Sequence, residues 1–375
     1  MDRDHHGLFN VLIKITIMAI LGEEFSMRLY NPGRIPRSVV PENQEFPMLA
    51  LSSQLTPESL HYIRNHFPYP SFSPEDWHLD IGGLVRNPVR LHYDDLMRMS
   101  MVSLPVTMEC AGNKRAFFHP KVRGEQWELG AVSHAVWTGV RLRDILSAAN
   151  LLSDANEVIF EGMDFGQRTD IKGTFHYSRS LPLAIALHPD TLVALFMNGK
   201  PLPFKHGYPA RLIVPGWYGM ASVKWLRRVL VSDQPFEGPF QKLDYMIYQM
   251  NPNLGRRPVT SMKVNSAIVQ PTDQSVLKKG IRQVFGVAWA GEHPVTQIHI
   301  SLDKEHTWQT AVWLDPEQRY SWRRWVWQWD ASKEGTYVIK AKAADSVGNT
   351  QPLYAEWNVK GYENNSIHQI QVYVE

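Results

Sequence analysis

Cys110 is the sole cysteine in 375 residues, and that single fact narrows what the chain can fold into. An intramolecular disulfide and every C-x-x-C zinc site are excluded, so the fold must rest on packing and hydrogen bonding alone. Both reduced and exported disulfide-free proteins look this way, so the thiol count leaves the compartment open. The cysteine lies in residues 107–115, T-M-E-C-A-G-N-K-R, after the β-rich apolar run Met101, Val102, Leu104 and Val106. Ala-Gly-Asn is a turn signal, which puts the sulfur at the end of a strand where glycine lets the backbone approach a ligand. Lys114 and Arg115 follow at once, and nearby positive charge favours a thiolate, which is both a nucleophile and a soft metal ligand. The competing reading is an inert, packed thiol.

The length exceeds one comfortable core and predicts two domains. An apolar content of 44% with 20% charged residues describes a globular protein, and a net charge of +2 is too small to point to nucleic acid or a polybasic membrane surface. Residues 8–21 are apolar but carry Asn10 and Lys14, and are too short to cross a bilayer of about 30 Å as a helix. Asp2 and Asp4 oppose a basic leader region, and translation from Met27 is a further possibility; the expectation is a cytoplasmic protein with no membrane span. Residues 1–49 read as an N-terminal arm, with 31–49 an extended lead-in.

Residues 50–255 mix short strands with a few helices in an α+β pattern without a βαβ repeat. Strands are expected at 77–81, 158–160, 192–197, 211–214 and 223–231, and helices at 93–99, 140–149 and 181–187. Residues 260–375, beyond a linker at 251–255, alternate with period two: Ile298, Ile300 and Leu302; Tyr337, Ile339 and Ala341; Ile370, Val372 and Val374. Short strands at this spacing predict an all-β immunoglobulin-like sandwich. Trp322, Trp325, Trp327 and Trp329 are expected to pack in the core and between domains.

Cations recur beside turns: Arg64-Asn65-His66, His206-Gly207 ahead of Arg211, and Ser222-Val223-Lys224 after Gly216 and Gly219. Fixed positive charge next to backbone N–H groups suits an anionic ligand. The order and spacing of Y-I-R-N-H (62–66), C-A-G-N-K-R (110–115), G-E-Q-W (124–127), F-E-G-M-D (160–164), N-G-K-P-L-P (198–203), H-G-Y-P-A-R (206–211) and V-K-W (223–225) resemble the sulfite oxidase family, whose molybdenum domain is shared with eukaryotic nitrate reductase.

That resemblance implies a Mo-molybdopterin cofactor with Cys110 as its protein ligand. Tyr62, Ile63, Arg64, Asn65, His66, Asp164, His206, Arg211, Ser222, Val223 and Lys224 are implied to hold the pterin and its phosphate, helped by backbone donors of the 216–222 loop. Arg64 is implied to receive the substrate anion and Tyr177 to be the active-site tyrosine. A second substrate arginine is expected among Arg319, Arg323 and Arg324. The implied reaction is oxidation of sulfite to sulfate, with electrons passing to cytochrome c or oxygen, in a homodimer joined through the second domain. Animal members carry Ala-Arg-His where this chain has Met220-Ala221-Ser222, one cation fewer. The alternatives are an oxo-transfer enzyme acting on another sulfur compound or nitrate, and a cofactor-free dimeric binding protein.

Overall fold

A computed structural model of the chain describes residues 33–248, 255–302 and 307–375. The apolar stretch 8–21 and the linker residues 251–254 lie outside them. Arg34–Glu375 form one compact unit.

Two five-stranded sheets build the first region. In one, Met101–Glu109 pairs with Val132–Arg141, which pairs with Leu192–Met197; Lys200–Pro201 and Arg211–Ile213 attach to that last strand. In the other the order is Val89–His92, His78–Gly83, Leu226–Ser232, Glu157–Gln167 and Thr174–Pro182, with one parallel pair, Leu226–Ser232 beside His78–Gly83. Among the described residues the few helices are short, Tyr93–Arg98 and Leu142–Ala149 being the longest. Leu142, Ile145, Leu146 and Ala149 share one helix face, as the 3.6-residue period requires, and that face is buried with Leu79, Val158 and Phe160 from the second sheet.

Chemistry concentrates where strands end. Met101–Glu109 alternates and is increasingly buried towards its C-terminal end, which delivers Cys110 to the interior. The strand expected at 158–160 runs over Glu157–Gln167, because its register shifts between Glu161 and Phe165 and the bulge lets pairing continue. The strand expected at 223–231 begins only at Leu226, and Trp225 at φ 49° turns the chain ahead of it.

The second region is a β-sandwich. One sheet orders Asn265–Gln270, Gly280–Trp289, Arg323–Ala331 and Val312–Trp313; the other orders Ser275–Leu277, His368–Val374, Gly335–Asp345, Val295–Ser301 and Gln309–Thr310. Ile298, Ile339 and Ile370 from one sheet meet Val284, Trp325 and Trp327 from the other in a shared core. Trp322 packs instead with Phe46, Val132 and Trp289, on the seam between the two regions.

The expected lead-in arm takes a different form. Ile35–Ser38 and Asn43–Glu45 are antiparallel strands of a hairpin, and Phe46 and Met48 are buried in the seam cluster. Proline and polar residues read as an extended tail; a short hairpin holds its backbone equally well once Gln44 finds Ile63 as a partner.

Candidate active site

Cys110 sits in a tight turn that its own residues close. Its N–H donates to Ala131 O at 2.8 Å, and Asn113 N–H donates back to Cys110 O at 2.9 Å. The Asn113 side chain donates to Glu109 Oε1 at 3.0 Å and accepts from Ala131 N–H at 3.1 Å. Residues of the second region clamp the turn from outside: Glu363 N–H donates to Ala111 O at 2.8 Å, and Asn364 Nδ2 donates to Lys114 O at 3.0 Å.

Cys110, 7% exposed, faces a cavity among polar and aromatic side chains. Burial pushes the thiol pKa up, while Arg64 and Arg115 pull it down. Lys114 does not contribute as its place in sequence suggests. At φ 62° its backbone turns the ammonium away, into Asn265 Oδ1, Ser266 O and Ser366 O.

Tyr62, Ile63, Arg64, Asn65 and His66 line the cavity on one side, and Asp164, Tyr177, His206, Arg211, Ser222 and Lys224 complete it around Cys110. Val223 does not join them. Its side chain is fully buried in the core of the first region, because alternation along the chain sends its neighbours Ser222 and Lys224 to the cavity and Val223 behind it. The arginines of the 319–324 stretch are also elsewhere. Arg319 pairs with Asp190, Arg323 donates to Asp315 O and Val295 O, and Arg324 is held by Asp315. Each is committed in or beside the sandwich, and none lines the cavity. The loop 216–222 reaches the cavity in part. The N–H groups of Trp217, Tyr218, Ala221 and Ser222 all bond within the protein, leaving Gly219, Met220 and the Ser222 side of the loop on the cavity wall.

The cavity has two chemically distinct ends. At the cationic end, Arg211 donates to His206 O at 3.2 Å and to Met108 Sδ at 2.9 Å, and Lys224 reaches Asn65 Oδ1. His206 is kept neutral, burial holding its pKa well down, and its Nε2 lies 3.2 Å from Glu58 O. Burial lowers the Lys224 pKa strongly and raises that of Asp164. Asp164 Oδ1 and Arg211 Nε are buried with no partner. Such orphans are costly in a folded protein unless a ligand satisfies them. Gly207 makes the approach possible: it sits at φ 111°, and a side chain there would press on Lys224 and Arg211.

At the sulfur end, Cys110 and Arg64 are walled by Tyr177, Tyr245, Met108 and Met220. Tyr177 donates its hydroxyl to Met220 O at 2.7 Å and stacks on His66 at 4.6 Å between ring centroids. Tyr245 Oη lies 2.7 Å from His66 Nε2. Burial raises the Tyr245 pKa and lowers that of His66, so the pair is a protonated phenol beside a neutral imidazole. Tyr245, Met108 and Met220 escape sequence reasoning, since nothing in the local pattern separates them from core residues.

The donor set fits a phosphate-bearing ligand at one end and a thiolate-bound metal at the other. Among the described residues no three His, Cys, Asp or Glu side chains converge on a metal site, so a metal held by Cys110 takes its other ligands from its cofactor.

Comparison with known proteins agrees with this geometry. Residues 66–240 match the oxidoreductase molybdopterin binding domain, and residues 256–375 match the Mo-co oxidoreductase dimerisation domain. The chain is 33% identical to human mitochondrial sulfite oxidase over 371 residues, covering 92% of this chain and 67% of that protein. It is 30% identical to NADH nitrate reductase 2 of Phaseolus vulgaris, covering 89% of this chain and 41% of the relative. The crystal structure of the sulfane dehydrogenase SoxCD from Paracoccus pantotrophus superposes with a TM-score of 0.80 at 26% identity, covering 92% of this chain and 91% of that one. Fold and site together define a molybdopterin-dependent oxidoreductase. The chain belongs to the sulfite oxidase family, and its cofactor is Mo-molybdopterin.

Proposed function

We propose that this enzyme oxidises sulfite to sulfate and passes two electrons to an external acceptor, cytochrome c or oxygen. One observation carries the reading: the lone thiol and the Arg64 guanidinium face the same aromatic-walled cavity, whose far end is cationic and incompletely bonded. Cys110 would hold the molybdenum; Arg211, Lys224, His206, Asp164 and Asn65 would hold the pterin and its phosphate. When bound, the cofactor supplies two-electron oxygen-atom transfer.

The chain's own residues do the rest. Arg64 attracts a small anion into a site of low dielectric, where one charge counts for more than in water. The balanced reaction, sulfite plus water giving sulfate, two protons and two electrons, needs a proton route beside the reacting oxygen. The Tyr245 hydroxyl, bonded to neutral His66, is placed to hold and relay one such proton. Tyr177, tied to Met220 O, keeps the wall rigid and water out. The second region, matching a dimerisation domain, supports a homodimer as the working form.

A second reading, oxidation of a less charged sulfur compound, draws on the sulfur end itself. Its lining is partly apolar: Met108 and Met220 supply thioether surface beside Cys110 and Arg64. The deciding measurement is sulfite-dependent reduction of ferricyanide or cytochrome c by protein of known molybdenum content. Turnover that survives Cys110→Ser sinks the ligand assignment. Molybdenum-loaded protein that ignores sulfite and oxidises a sulfane or thioether favours the second reading.

A further inference from the structure

The N-terminal hairpin precedes the matched molybdopterin-binding region, which begins at residue 66. Its contacts are nonetheless to the cavity wall. Gln44 and Ile63 exchange backbone hydrogen bonds, both at 2.9 Å, so the hairpin adds a pairing partner directly beside Arg64. Asn43, with 0% of its surface exposed, then meets the next two residues. Its Oδ1 accepts from the Asn65 N–H at 2.8 Å and from Arg64 Nη1 at 3.4 Å.

Which way this amide faces is set by its other end. Nδ2 donates to Ser38 Oγ at 2.7 Å, Glu125 Oε1 at 3.1 Å and Pro41 O at 3.2 Å, so it faces a hydroxyl oxygen, a carboxylate and a carbonyl. Flipped, it would set a carbonyl oxygen against two acceptors and an NH₂ against a backbone N–H and a guanidinium. One orientation is therefore fixed, and it presents an acceptor to Arg64.

The neighbouring Glu42 ties the opposite wall. Its backbone carbonyl accepts from Asn65 Nδ2 at 3.0 Å, while its carboxylate takes the Tyr69 hydroxyl at 2.6 Å and the Lys205 ammonium at 3.0 Å, next to His206. The hairpin thus fastens together the 62–66 segment and the turn that carries His206.

We infer that Asn43 is a positioning residue for the anion site: its side-chain carbonyl aims the Arg64 guanidinium and pins the Asn65 backbone. The inference deepens the proposed function and rests on Arg64 receiving an oxyanion. A neutral acceptor suits this role. It occupies one N–H of a group that has five and leaves the charge whole for the anion, whereas a carboxylate at the same place would pair with Arg64 and compete.

The test uses full-length, molybdenum-loaded protein as wild type, Asn43→Ala, Arg64→Ala and the double variant. Sulfate binding by calorimetry, sulfite KM and kcat, and hydrogen exchange in the peptide spanning 60–68 are read together. Asn43→Ala is expected to keep its molybdenum, speed exchange at Asn65, weaken sulfate binding and raise KM about tenfold with kcat little changed. In the Arg64→Ala background it is expected to add nothing, since two residues acting as one unit are not additive. Additive effects, an unchanged sulfate affinity, or loss of molybdenum from a folded chain overturn the inference. Asn43→Asp, which keeps the side-chain shape, covers a failure of the alanine variant to fold: its KM is expected to rise by a factor that shrinks with added salt, and a KM equal to wild type refutes the role. A wild type that binds sulfate but does not oxidise sulfite removes the substrate reading alone, leaving the sulfate cycle to decide on Asn43. A wild type that binds neither anion removes both.

Discussion

Lys114 and Lys224 are both lysines set beside a carboxylate, Lys114 fully buried and Lys224 half-buried at the cavity wall, and desolvation lowers the pKa of each. Their surroundings differ. The Lys114 ammonium reaches Asn265 Oδ1 at 2.6 Å, Ser266 O at 2.9 Å and Ser366 O at 3.2 Å, three acceptors for three N–H groups. Its carboxylate neighbour Glu109 is equally occupied, accepting from Asn113, Asn265 and Trp289. Lys224 reaches Asn65 Oδ1, finds Lys205 O at 3.3 Å and lies 4.2 Å from the Trp225 ring centroid, while its neighbour Asp164 has an unpartnered oxygen. A buried charge whose bonds are all made within the chain is part of the structure; one with bonds left over is a binding site for something else. Lys114 belongs to the seam that joins the cysteine turn to the sandwich, and Lys224 belongs to the cavity wall.

Removing each charge should therefore do opposite things. Lys114→Met strands three acceptors and removes the charge nearest Glu109, and is expected to cost about 3–5 kcal/mol of stability, measured by denaturant unfolding of cofactor-free protein. A cost below about 1 kcal/mol would make the seam as loose as the cavity and erase the contrast. Lys224→Met removes an ammonium that the empty protein satisfies poorly. Cofactor-free stability is expected to change by less than about 1 kcal/mol, while molybdenum per chain after gel filtration drops about tenfold or more, the loss of a charge-assisted contact to phosphate. Full molybdenum retention in that variant would move Lys224 out of the cofactor's contacts.

The sequence discloses such sites unevenly. The 110–115 and 206–211 motifs and the 62–66 segment are legible because each packs several functional groups into one turn or strand end, where spacing alone brings them together. The period-two runs around Ile298, Ile339 and Ile370 give the sandwich for the same local reason. Asn43, Tyr245, Met108 and Met220 are ordinary residues that reach the cavity or its wall only through contacts across long stretches of chain. Lys114 shows the converse. Adjacency to Cys110 suggests a cation next to the sulfur, yet one left-handed residue sends it to the other side of the turn. Arg319, Arg323 and Arg324 are a cluster in sequence and are dispersed onto Asp190 and Asp315 in space.

The smallest expected effect probes the seam through pH. His368 accepts from the Ile268 N–H at 3.0 Å, and burial, with a further contribution from the Lys114 charge, holds its pKa down at about 3 against an ordinary 6.5. The unfolded chain therefore binds a proton here that the folded chain refuses. Stability from this group is complete above pH 6.5 and is lost as pH falls through the window towards 3, at up to about 1.4 kcal/mol per pH unit. His368→Gln is expected to lower stability somewhat at pH 7.5, where the imidazole bond is lost, and to flatten the decline between pH 6.5 and 4.5 relative to wild type. Unfolding midpoints across that range read the difference directly. Since Lys114 helps hold His368 neutral, Lys114→Met is expected to soften the same slope, and Lys224→Met, acting in the other region, is expected to leave it unchanged. An equal response to both substitutions would mean that the seam and the cavity form one electrostatic unit.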